Sequence, residues 1–496
     1  MINKGNIIKI SSGTLKESAT KDYTAYANNI QTNAAKKILE NSNDGIVYGE
    51  PEKMATKEDV VNIVAGLFFD GTGNNRTNID RRESNSPIYT AHAKPSFWQD
   101  NTSYENDRTN VDHLEKMYKK ETLYFSIYIE GIGTTNDDYD SLKDMGTGEG
   151  STGIRGKVKK CCEELVRTIK ANTKKDVGTL TVDVFGFSRG AAAARNFVHE
   201  ITLPSEDDKP ARGHFGEQAG KSKLKIAFVR IRFAGLYDTV SAYGVKHSND
   251  LVELDLNAVN RASKIVHLTA ADETRDKFEL TSVTTGTELS LPGVHSDIGG
   301  SYRDNVNEEV SLAEEMLSLI NRDKLVAAER DRLIEQGWYT GSQMKIQNSY
   351  KLTGNRVLSN KYSLIPLHLM FEMGTDPCQF VEDLLGTVYK IPTAPLSNSK
   401  LLLTDVYTRI KNYAILKTAP PLVFNSRGQL QSLKNMVDVG AYPVDKYNAQ
   451  VRDHNMLMEL RNRYLHFSSS WDGVGKEPHI NDKGERERVV FNPRST

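Results

Sequence analysis

The stretch that most constrains this chain lies at residues 179–198. A β-branched and aromatic run, TLTVDVF at 179–185, leads into Gly186-Phe187-Ser188-Arg189-Gly190, and four alanines at 191–194 follow. Where a strand turns directly into a helix around one serine, that serine takes a strained backbone conformation. Its neighbours two positions away must be small, because strand and helix cross there. Gly186 and Gly190 meet that demand, and the alanines let the helix lie close on a sheet. The segment predicts strand, tight turn and helix in immediate succession, with Ser188 at the apex.

Other compact apolar runs surround this unit at 62–69 (NIVAGLFF), 123–129 (LYFSIYI), 226–236, 264–270 and 287–291. From Lys157 onward Val158, Cys162, Leu165, Val166 and Ile169 recur at helical spacing. Near-continuous apolar strands alternating with helices predict an α/β fold with a mostly parallel central sheet flanked by helices. Residues 76–110 are polar and 133–156 are glycine-rich, and both read as loops. After about residue 305 the pattern turns helical, with Leu312, Met316, Leu319 and Ile320 on one stripe and Val406, Ile410 and Tyr413 on another. The expected organisation is a polar extension at 1–58, a catalytic core at 59–305 and a mainly helical cap at 306–496, with no clear linker between core and cap. The last thirty residues are charged and carry Gly and Pro.

Composition narrows the function. Of 496 residues, 38% are hydrophobic, enough for a sizeable core. With 64 basic against 65 acidic side chains, the net charge of −1 argues against a dedicated nucleic-acid binder. Cys161, Cys162 and Cys378 are too few for a disulfide framework, and no Cys/His cluster suggests zinc. The N-terminus lacks the apolar core of a secretory signal, and no apolar run is long enough to span a membrane.

The chemistry centres on Ser188, whose hydroxyl needs a base within hydrogen-bond reach to act as a nucleophile. In the α/β-hydrolase arrangement an acid and a histidine follow the serine in chain order, each after a later strand. Asp238 follows the 226–236 run, where open α/β sheets place their sites; a helix N-cap is its other ordinary use. Among eleven histidines, His295 is best placed, in the turn-rich loop LPGVHSDIGG after the 287–291 strand. His466 is the rival base and Asp272 the rival acid, while His267 and His368 read as structural. An oxyanion hole needs two N–H donors: Arg189, at the helix N-terminus, and Gly71 or Thr72 in the loop Asp70-Gly71-Thr72-Gly73. That loop also resembles the start of a calcium site, but Asn75 and Arg81 stand where an EF-hand needs Gly and Glu. The glycine-rich 145–156 segment lacks the Lys-Ser or Lys-Thr of a phosphate loop. No cofactor and no metal is expected.

Taken together, FFDGTGNN, SYENDRTNVDHL, GIGT, VDVFGFSRGAAAAR, GLYDTVSAYG and LPGVHSDIGGSY resemble the α/β-hydrolase lipase effectors of the bacterial type VI secretion system, the class with a G-x-S-x-G elbow. The likeness runs from about 62 to 303, with fainter echoes at 362–370 and 460–468. It implies a phospholipase cleaving fatty acyl esters of glycerophospholipids, with the family's serine, aspartate and histidine on Ser188, Asp238 and His295. It further implies a membrane phospholipid substrate, a secretion spike or adaptor and a cognate immunity protein as partners. The expected itinerary is synthesis in the bacterial cytoplasm and export, without a signal peptide, to the target-cell periplasm. Two other readings stand beside it: a soluble carboxylesterase or acyl-thioesterase, and an inactive secretion cargo or binding protein on a hydrolase fold.

Overall fold

In the computed structural model the described residues are 60–95, 100–203, 213–243, 248–314, 322–348, 350–473 and 475–491. The expected extension at 1–58 lies outside them. Six strands form the central sheet: β1 (Val60–Phe69), β2 (Tyr124–Ile129), β3 (Asp176–Phe187), β4 (Ile226–Tyr237), β5 (Lys264–Ala270) and β6 (Thr287–Leu291). Their order is β2-β1-β3-β4-β5-β6, and β1 with β2, β3 with β4, β4 with β5, and β5 with β6 pair in parallel. Each strand matches an apolar run read from the sequence. Parallel pairing brings the carboxyl ends of β3, β4, β5 and β6 to one edge, and the loops that leave that edge carry the chemistry.

Side-chain alternation assigns the two faces. Ile63, Ala65, Leu67 and Phe69 of β1, with Leu180, Val182 and Val184 of β3, join one apolar cluster. It includes Val158, Cys162, Leu165 and Ile169 from helix α1 (Ile154–Asn172), and the four alanines of helix α2 (Arg189–Ile201). Phe68, Phe185 and Phe233 point the other way, into a cluster with Ile365, Leu367 and Met370 of helix α3 (Leu364–Thr375). Leu457, Leu460 and Tyr464 belong to that second cluster as well. The residues after 305 thus share an apolar core with the sheet, and Val61–Thr496 forms one compact unit.

Three expectations change. Residues 76–110 are not a plain loop: they hold helices at Arg76–Glu83, Pro87–His92 and Thr102–Glu105. These carry little apolar periodicity and are organised by polar side chains. Asn75 caps the first, accepting from the N–H groups of Thr77 and Asn78, and Asn78 Nδ2 donates to Ser103 Oγ at 2.8 Å and to the Thr135 carbonyl at 3.0 Å. Likewise, the glycine-rich segment holds a short helix at Leu142–Thr147. Leu312 lies not on a helix but on a strand, Val306–Glu314, which pairs antiparallel with Lys351–Leu358. Met344–Gln347 pairs on that partner's other side. Cross-strand pairing decides the matter there. Met316, Leu319 and Ile320 lie outside the described residues. The second stripe is helical as expected, with Val406 and Ile410 buried on Leu403–Ala414.

The crossing at the elbow is tight. A Cβ built on Gly190 would meet the Asp70 carbonyl oxygen at 2.2 Å and that of Phe69 at 2.5 Å. Both are backbone atoms at the end of β1 and cannot swing away. Gly190→Ala should therefore destabilise the fold by at least about 2 kcal/mol, measured as a lower urea midpoint at unchanged slope.

Candidate active site

Ser188 sits between β3 and α2 with φ 59° and ψ −130°, a region that non-glycine residues rarely occupy. Its N–H donates to the Tyr237 carbonyl at 3.0 Å, and its own carbonyl accepts from Ala191 N–H at 3.0 Å. The strained turn predicted from the two flanking glycines is thus present, held by β4 on one side and α2 on the other. Strain of this kind persists only where its surroundings over-determine it, and it concentrates at functional sites.

Asp238, directly after β4, also has positive φ, at 43°. It is fully buried, and both carboxylate oxygens are occupied. Ala270 N–H donates to Oδ1 at 2.9 Å, and His295 Nδ1 lies 2.5 Å from Oδ2. Arg488 closes on both oxygens from the far end of the chain, with Nη1 to Oδ1 at 2.7 Å and Nη2 to Oδ2 at 2.9 Å. Burial alone would raise the Asp238 carboxyl, but Arg488 and His295 outweigh it and hold it well below the usual carboxylate range. An ionised Asp238 places the imidazole proton on Nδ1 and leaves Nε2 as the lone-pair nitrogen.

His295 begins the short helix His295–Gly299 after β6. Its ring is 4.6 Å from that of Phe187 and 5.0 Å, edge-on, from that of Phe278. Burial lowers its pKa below the ordinary imidazole value, against the opposing pull of Asp238. Behind it, Glu273 Oε2 accepts from His295 N–H at 3.2 Å. Burial would raise Glu273, yet its ion pair with Arg275 holds it down at about 2. Ser188 and His295 both line one cavity of about 1310 Å³. No hydrogen bond joins their side chains among the described residues, which does not exclude a nucleophile–base pair, since such bonds tighten only when substrate binds.

The expected oxyanion donors divide. Arg189 N–H opens α2 and Thr72 N–H lies in the loop after β1; neither has a hydrogen-bond partner among the described residues, and both residues line the cavity. Gly71 N–H, by contrast, donates to Asp70 Oδ1 at 2.7 Å. That bond removes Gly71 as a free donor and leaves Thr72. Arg189 Nε donates to Thr72 Oγ1 at 2.9 Å, so the two donor residues are tied to each other.

The rivals fall elsewhere. Asp272 does not reach His295: its Oδ2 accepts from Gly293 N–H at 2.7 Å and its Oδ1 from Arg461 at 2.7 Å, bracing the loop that carries the histidine. His466 lines the same cavity, but its Nδ1 pairs with Asp297 at 2.7 Å and its ring stacks 3.6 Å from that of Tyr302. It forms a second aspartate–histidine pair. His267 lies between Glu288 and Thr239 N–H, and His368 bonds the Tyr389 carbonyl. Arg488 was not legible beforehand, since an arginine in a charged terminal stretch carries no local signal. Among the described residues no His, Cys, Asp and Glu side chains cluster as a metal site would require.

The mostly parallel six-stranded sheet with a strained serine at its carboxyl edge defines an α/β-hydrolase-like fold. Residues 202–373 match the family model described as "T6SS, Phospholipase effector Tle1-like, catalytic domain". Over residues 202–373 the chain is therefore similar to the catalytic domain of Tle1-like phospholipase effectors of the type VI secretion system. The matched span includes Asp238 and His295 and begins after Ser188. A solved structure of the Tle1 effector bound to the VgrG spike of that system is 20% identical, covers 87% of this chain and 94% of its own, and superposes with a TM-score of 0.53. At that identity the likeness is one of fold. An uncharacterized protein from Pseudomonas aeruginosa is 18% identical over 83% of this chain and 65% of its own, with a TM-score of 0.32. Among curated proteins none matches.

The depressed pKa of His295 carries a direct consequence. In an NMR pH titration its imidazole should lose its proton below the ordinary value of about 6.5. It should thus be mostly neutral at pH 6.5 and charge only on further acidification.

Proposed function

We propose that this chain is a phospholipase effector and a serine hydrolase of the phospholipase A type, with Ser188, His295 and Asp238 as its catalytic triad. The observation that carries the reading is the His295 Nδ1–Asp238 contact of 2.5 Å, made by a histidine that lines the same cavity as Ser188. Ser188 Oγ attacks the acyl carbonyl of a glycerophospholipid as His295 Nε2 takes its proton. The tetrahedral oxyanion is held by Arg189 N–H and Thr72 N–H, aided by the positive end of α2. His295 then protonates the departing lysophospholipid oxygen, leaving an acyl-enzyme. Water, deprotonated by His295, releases the fatty acid and restores the serine. Asp238 keeps the imidazole in one tautomer and stabilises the imidazolium.

The partners follow from the same reading. A membrane phospholipid is the substrate. The solved neighbour, Tle1 on its VgrG spike, supports docking of this chain on a secretion spike. Among the described residues no helix is long and apolar enough to cross a membrane. That is compatible with delivery to a target periplasm by the secretion machine, and protection of the producer by an immunity protein completes the proposal.

The test is fatty-acid release from phospholipid vesicles. Ser188→Ala should lose ~10⁶-fold in kcat if the triad acts as a unit; equal release by wild type and variant would overturn the assignment. His295→Ala should be comparably damaged and His466→Ala far less, and the reverse order would move the base to the second pair. Mass spectrometry of products from phospholipids with different chains at the two acyl positions reads which ester is cut.

A further inference from the structure

Arg488 takes no part in the steps above, yet it makes more contacts with the triad acid than the histidine does. We propose that Arg488 is a positioning residue for catalysis: it fixes the Asp238 carboxylate and offsets its charge, so that the C-terminal segment completes the active site. This inference rests on the Ser188–His295–Asp238 reading.

The geometry is that of a clamp. The guanidinium fork meets both Asp238 oxygens, the bidentate match for which arginine is suited and lysine is not. Its other donors are fixed as well, with Nε to the Phe278 carbonyl at 2.9 Å and Nη1 shared with the Ala270 carbonyl at 3.2 Å. The side chain is only 7% exposed. The segment bearing it is tied to the core on both sides of the arginine. Val490–Phe491 pairs in parallel with Leu280–Thr281, whose Thr281 carbonyl accepts from Arg195 of α2 at 2.9 Å. On the other side Pro478 bridges to Arg275. One strap therefore links the elbow helix, the Phe278 loop and the triad acid.

The charge argument gives the direction of the effect. The charged groups around His295 are Asp238 after β4, Glu273 and Arg275 after β5, Asp297 on its own short helix, and Arg488 on the strap. Glu273 and Arg275 form their own pair, as do Asp297 and His466. Asp238 is left with Arg488 as its cation while His295 is neutral. When His295 takes the serine proton, the imidazolium shares that carboxylate with Arg488. Removing Arg488 leaves Asp238 unopposed, so His295 holds its proton more tightly and its pKa rises. Loss of the clamp also frees the carboxylate to rotate away from Nδ1, which lowers turnover.

The experiment compares wild type, Arg488→Gln and Arg488→Lys of the full chain by kcat and KM on phospholipid vesicles across pH, with thermal unfolding in parallel. Arg488→Gln should lose ~10²-fold or more in kcat with little change in KM, as expected for orientation of a triad acid. Its acid limb should move to higher pH. Arg488→Lys restores the charge without the fork, so its acid limb should return toward wild type while kcat recovers only in part. In an Asp238→Asn background, read with an activated short-chain ester, adding Arg488→Gln should cost less than about threefold, because the arginine acts through that carboxylate. An unmoved acid limb in folded Arg488→Gln, or losses that multiply fully in the double variant, would overturn the inference. If Arg488→Gln does not fold, the kcat of folded Arg488→Lys decides: a loss supports the clamp and a wild-type value overturns it. Activity retained by Ser188→Ala would instead sink the triad reading itself.

Discussion

The structure turns on how closely a strand, a helix and a loop approach one another around Ser188. The backbone of α2 passes the end of β1 so closely at Gly190 that no side chain fits. Gly186 is under the same constraint, since a Cβ there would meet the Gly190 carbonyl at 2.5 Å. That proximity holds the serine at positive φ and places Arg189 where its side chain meets Thr72. It also explains the alanines of α2, which are fully buried against the sheet where larger side chains would push the helix outward.

Around that crossing the protein manages several buried charges, and it does so by pairing them. Asp238 is neutralised by Arg488, Glu273 by Arg275, and Asp183 within β3 by Arg232. A buried carboxylate without a cation beside it titrates at higher pH, as Asp70 does: burial raises it to about 6 despite the hydrogen bonds it accepts from Tyr128, Thr109 and Gly71. Asp238 is held low by Arg488 and His295 together. The carboxylate that meets His295 is thus clamped by a residue two hundred and fifty positions away in the chain.

Strands and their order of appearance were legible because each is a short apolar run bounded by turn residues, and burial on both faces of a parallel sheet demands that composition. The helices of residues 76–110 were not, because they are held by capping and amide hydrogen bonds instead of an apolar stripe. Leu312 was assigned a helical stripe when its strand partner, some forty residues later, outweighs local spacing. In the site, Ser188, Asp238 and His295 stand out in the sequence by the strand ends that carry them. The choice between Gly71 and Thr72 was not legible, because the bond from Gly71 N–H to Asp70 is a matter of side-chain rotamer.

The amino-acid sequence by itself determined the elbow, since only small residues either side of a serine permit a strand to run straight into a helix. It also determined the sheet, the order in which Ser188, Asp238 and His295 follow its strands, and the likeness of residues 202–373 to a Tle1-like phospholipase effector catalytic domain. Tertiary structure alone decided which histidine meets Asp238 and which meets Asp297, which of two loop amides stays free, and that the charged C-terminal stretch returns to clamp the acid. Local spacing records periodicity and backbone strain, whereas the pairing of buried charges depends on which distant segments the folded chain brings within three ångströms of each other.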